Sequence, residues 1–156
     1  MRDKRFAEEH RGGTLKIEHH LQFIKWACVC AEHVLPFLGD EPDKRVIHAL
    51  QLAKEFEKGT IPVGEARKAS LECIAVANEL SVPATIAVAR SIGHAIATAH
   101  MADHALVAAL YALKAVKISG NSIDNERKWQ IEQIPAGIRE LVLSTMGSNE
   151  KKLKID

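Results

Sequence analysis

Apolar residues recur along this chain at intervals of three and four, and no segment sustains the strict alternation of a half-buried strand. Residues 14–35 carry Leu15, Leu21, Ile24, Cys28, Ala31 and Leu35 on one face, apart from a wider first gap, which predicts a long helix capped by Thr14 and ended by Pro36 and Gly39. Before it, charged residues 2–10 predict a short helix closed by Gly12 and Gly13. Asp40, Glu41 and Pro42 are a helix-start signal, and the segment that follows places Val46, Ile47, Leu50, Ala53 and Phe56 on one side before Gly59. Residues 64–79 predict another helix with Ala66, Ala69, Cys73 and Val76 inward, and Ser81 with Pro83 opens the next.

From Pro83 to Ile118 no residue type forces a stop. A single helix of that length would exceed ~50 Å, too long for a domain of this size. A break near Met101, Ala102 and Asp103 is therefore expected, with Asp103 capping the second piece. The alanines through this stretch give small faces that let helix axes approach closely. Ser122 caps a further helix to about Gln133, Pro135 and Gly137 mark a corner, and 138–146 is a last short helix. The expectation is an all-α fold, a compact multi-helix bundle of about seven helices. It comprises one helical domain over 1–147 and a charged carboxy-terminal tail over 148–156. No fixed-period repeat suggests a solenoid.

Composition narrows the function. The 156 residues are 47% hydrophobic and 26% charged, a globular balance. Net charge is +1 and aromatics are only 4%, which argues against nucleic acid and anionic membranes as partners. The apolar stretch 91–116 is broken by His94, His100, Asp103, His104 and Lys114, so it reads as buried helix and not as a membrane span. Three cysteines, two of them Cys28 and Cys30, make no disulfide scaffold and fit a cytoplasmic protein.

The densest chemistry lies in SIGHAIATAHMADHA, residues 91–105. His100 and His104 are four apart, Asp103 lies beside them, and His94 lies roughly 80° from His104 on an unbroken helix. Two imidazoles and a carboxylate could ligate a transition metal. Against this, the HExxH pattern is absent and the expected break spoils the spacing. The simpler reading of His94, His100, Asp103 and His104 is a polar cluster or partner-binding patch with no metal and no cofactor. Cys28 and Cys30 point about 200° apart on a helix and cannot readily share a metal, so Cys28 and Cys73 read as small core residues. Trp26 and Trp129 read as packing anchors, with the Trp129 indole N–H hydrogen-bonded at the core edge.

Three segments carry a resemblance: MRDKRFAEEHRGG at the amino terminus, AVARSIGHAIATAHMADHALVAALYALKAVK in the centre and NERKWQIEQIP later. Together they resemble the helical immunity-protein-five-like family of bacterial polymorphic toxin systems, roughly over residues 1–146. The resemblance implies a small cytoplasmic non-enzyme that protects its producer by binding a cognate toxin. It carries no toxin-contact residues over to this chain. A near-neutral immunity protein would bind by shape and apolar anchors more than by charge mimicry. The alternatives are a helical metal-binding protein or metal-dependent enzyme built on His94, His100, Asp103 and His104, and a homodimer that packs apolar helix faces.

Overall fold

The computed structural model describes residues 3–153, and the side chains of residues 3–147. Seven α-helices are seen among the described residues: α1 (Ile17–His33), α2 (Lys44–Glu57), α3 (Val63–Glu79), α4 (Pro83–Ala97), α5 (His104–Ile118), α6 (Ile123–Glu132) and α7 (Arg139–Leu153). The β structure among them is one isolated bridge between Glu8 and Leu15. The chain is an all-α bundle, as the periodicity predicts.

The centre is α4, which packs most extensively on α5 and α3 and also touches α1 and α2. Its alanines, together with Gly93, explain the closeness: a Cβ on Gly93 would lie 3.1 Å from the Cys73 Cβ of α3. Buried polar groups fix how the helices meet. The Ser91 hydroxyl donates to the Ala108 carbonyl at 2.7 Å, joining α4 to α5. Trp26 is 1% exposed, and its indole N–H donates to the Gln130 carbonyl at 2.9 Å. Gln130 in turn donates to the Ala109 carbonyl at 2.9 Å. These bonds place α6 against α1 and α5 by geometry and not only by apolar area.

The start of the chain differs from expectation. Residues 2–10 do not form a helix; two 3₁₀ turns, Lys4–Phe6 and Glu9–Arg11, take their place, and Arg2 lies outside the described residues. The cause is long-range. Phe6 is buried against Phe23, and Leu15 N–H donates to the Ala7 carbonyl at 2.9 Å, which holds this segment extended across α1. Gly13 permits the crossing, since a Cβ there would stand 2.0 Å from the Ala7 carbonyl oxygen. The same pairing delays α1, so Thr14 does not cap it; Lys16 is the N-cap residue and provides no side-chain bond.

Other starts shift for local reasons. Asp43, and not the Asp40–Glu41 pair, caps α2 by accepting from Arg45 N–H at 2.9 Å. Val82, and not Ser81, precedes α4, although Pro83 sits in its first turn as expected. Ser122 caps α6 as expected, accepting from Asn125 N–H at 3.2 Å. Helix α7 runs through Gly147 to Leu153, beyond the predicted end at 146, and residues 154–156 of the predicted tail lie outside the described residues.

Candidate functional site

The break between α4 and α5 falls at residues 98–103, where the pattern placed it. Asp103 does not cap α5 with its side chain. It holds the N-cap position with helical φ −63° and ψ −21° and makes no side-chain capping bond. The turn is already wound: His104 N–H donates to the Met101 carbonyl at 3.2 Å and Leu106 N–H to the Asp103 carbonyl at 3.2 Å. A capping side chain needs the extended backbone of a true N-cap to reach the next free donors, and this residue lacks it.

The reversal folds α5 back along α4 and brings His94 and His104 together. Their Nδ1 atoms lie 3.0 Å apart and their ring centroids 5.2 Å apart. One ring donates and the other accepts, so at least one of the pair is neutral. The sequence placed these two histidines in one cluster, but three further members were missed. Tyr111 stacks on His94 with centroids 5.5 Å apart and planes at 10°. The Arg90 guanidinium and the Lys114 ammonium each lie 5.9 Å from the Tyr111 ring centroid. The signal was present: Arg90 and His94 are four apart, and His104, Val107, Tyr111 and Lys114 step by three and four along α5. All of these side chains are half-buried. Burial pushes the His94 imidazole down to about 4, aided by the nearby His104 and Arg90.

His100 is placed elsewhere. It lines a cavity of about 210 Å³ with Phe6, Glu8, His20, Phe56 and Met101. Among the described residues, no group of three or more His, Cys, Asp or Glu side chains is arranged to hold a metal ion. In the same region His20, 7% exposed, bonds through Nδ1 to Glu8 at 2.7 Å and through Nε2 to the Thr98 carbonyl at 2.6 Å.

A wider groove of about 500 Å³ lies at α1, α2 and α6, lined by Lys25, Cys28, His33, Lys54, Lys58 and Trp129 among others. Trp129 is half-buried and lies face to face with His33, centroids 3.5 Å apart, while His33 Nδ1 bonds Glu126 at 2.7 Å. Trp129 is thus a surface platform; the bonded indole N–H of the core edge belongs to Trp26. The i, i+3 spacing of Glu126 and Trp129 was the available clue. The thiols are chemically quiet: burial pushes Cys28 and Cys73 up to about 12 and Cys30 well above its usual value. No described helix is long and apolar enough to cross a membrane.

Comparison with curated proteins and with solved structures finds no match. The family described as Imm-5 like putative immunity protein matches residues 13–137, a span that runs from α1 through α6 and includes every member of the His94–Tyr111 cluster. With most of its length matched, the chain belongs to that Imm-5 like family.

Proposed function

We propose that this protein is the immunity partner of a bacterial toxin, that it neutralises the toxin by binding it, and that it performs no chemistry of its own. Membership of the immunity family across residues 13–137 is the observation that carries this reading. The chemistry of the molecule agrees with it. The cysteines are buried and protonated, and the His94–His104 pair is stacked on Tyr111.

The test is coexpression with the toxin domain encoded by the neighbouring gene. Growth rescue and copurification at a fixed ratio are the expected outcome. Absence of rescue, together with near-equimolar metal lost on His100→Ala, would replace this reading with the metal-dependent one. Metal content should be measured on protein purified without a metal-affinity tag.

A further inference from the structure

We propose that the face built by Arg90 and His94 of α4 and by His104, Tyr111 and Lys114 of α5 is the toxin-docking surface, and that it receives acidic side chains of the toxin. This rests on the immunity reading above and adds to it a place and a partner chemistry.

The argument begins with unpartnered charge. Most half-buried charges in a folded protein are matched, because removing a charge from water without a counter-charge is costly. The other half-buried lysines and arginines among the described residues, Arg45 and Arg127, follow that rule. Arg45 holds Asp43 at 2.9 Å and Glu79 at 2.7 Å, and Arg127 holds Asp124 at 2.8 Å. Arg90 and Lys114 depart from it. Both are half-buried, both lie against the same tyrosine ring, and among the described residues neither has a carboxylate partner. His94 lies in the same surroundings, since Arg90 and His104 both act on its imidazole beside the stacked Tyr111 ring.

The second strand of the argument is shape. Tyr111 and the two imidazoles form a stack with centroid separations of 5.5 Å and 5.2 Å. Half-buried Val107 lies on the same stripe of α5, and Ile118, 41% exposed, extends it. A rigid aromatic centre with arginine at its edge is the composition that dominates binding energy at protein interfaces. The occupant must bring negative charge, because docking strips the remaining water from Arg90 and Lys114. A carboxylate then gains charge-assisted hydrogen bonds, whereas a neutral or basic surface leaves two buried cations unmatched. Two cations in a chain of net charge +1 supply no extended field for a polyanion, which favours discrete Asp or Glu side chains over a nucleic-acid backbone.

The experiment uses the full-length protein and the neighbouring toxin domain, with growth rescue and titration calorimetry as readouts. Arg90→Glu with Lys114→Glu should abolish rescue and weaken binding by about 100-fold or more, the scale of truncated interfacial charge pairs. Arg90→Gln with Lys114→Gln, milder for folding, should weaken it by about 10-fold. Lys25→Glu with Lys58→Glu, in the separate groove, should change it only a few-fold. Circular dichroism and melting curves establish that each variant is folded. Equal rescue by wild type and the charge-reversed pair overturns the docking surface and leaves the immunity function standing. Failure of the wild type to rescue overturns both. Binding of a fluorescent single-stranded oligonucleotide, lost in the charge-reversed pair and not displaced by toxin, overturns the acidic-protein partner in favour of nucleic acid.

Discussion

His20 and His94 occupy opposite electrostatic situations in one small bundle. His20, on α1, has both ring nitrogens bonded, one to the Thr98 carbonyl at 2.6 Å and one to Glu8 at 2.7 Å. A carbonyl can only accept, so Nε2 carries a hydrogen, and the remaining nitrogen shares a proton with the carboxylate. The ring ties the amino-terminal segment to α1 and to the turn after α4. His94 has another histidine, a tyrosine ring and a guanidinium around it. The first ring is matched by a carboxylate and a carbonyl inside the fold, while the second shares its hydrogen bond with another imidazole and lies near a guanidinium.

The largest effect expected from this contrast is at His20. His20→Ala leaves the Thr98 carbonyl without its donor, takes away the Glu8 anchor and opens a void in a site that is 7% exposed. A loss of about 3 kcal/mol in urea unfolding is expected, from the unmet acceptor and the lost volume together. A loss below about 1 kcal/mol would show that the two sites do not differ in this way.

The next effect depends on pH. The folded-state value for His94 lies at about 4, below the ordinary 6.5. The unfolded chain therefore binds the proton more readily between those values. The contribution of neutral His94 is fully present above pH 6.5 and declines as pH falls toward about 4, below which the loss is complete. The groups that face this ring are His104 and Arg90, with Tyr111 stacked on it and Lys114 beyond that ring. The shift corresponds to about 3 kcal/mol, reduced to about 2 kcal/mol for the part of the ring still open to solvent. Parallel urea titrations of wild type and His94→Leu should show that this slope belongs to the wild type. Equal slopes would mean that His94 stays hydrated in the folded protein.

The same contrast explains what the sequence made legible. Helices α2 to α6 follow from local periodicity and from punctuation such as Gly59, Pro83 and Gly120, because each buries one stripe on a neighbour close in sequence. The break before α5 followed from length alone. The amino-terminal segment was misread because its shape is set by Phe6 packing on Phe23 and by Leu15 pairing with Ala7, contacts that no local pattern contains. The candidate site was half legible. His94 and His104 were found because histidines in an apolar tract stand out, and His100 was grouped with them by proximity in sequence. Arg90, Tyr111 and Lys114 were not linked to these histidines, because it is the reversal at 98–103 that places α4 beside α5.

The smallest expected effect is also the most discriminating. If the cations of the α4–α5 face serve a partner, removing them should cost the isolated protein almost nothing. Arg90→Gln and Lys114→Gln each forfeit a cation–π contact with Tyr111, worth about 0.5–1 kcal/mol at an exposed site, and each also removes a partly desolvated charge that no carboxylate offsets. The two contributions nearly cancel, so stability at neutral pH should stay within about 0.5 kcal/mol of wild type. Arg90→Gln should also let the His94 value rise toward 6.5, because one of the charges holding it down is gone. That rise would flatten the pH slope between 4 and 6.5 and can be read from the imidazole resonances in an NMR titration. Glu8→Gln offers the opposite case: it weakens a charge-assisted bond to a buried ring and should destabilise by about 1–2 kcal/mol. Should Arg90→Gln prove as damaging as Glu8→Gln, Arg90 braces the fold, and its charge is not held open for another molecule.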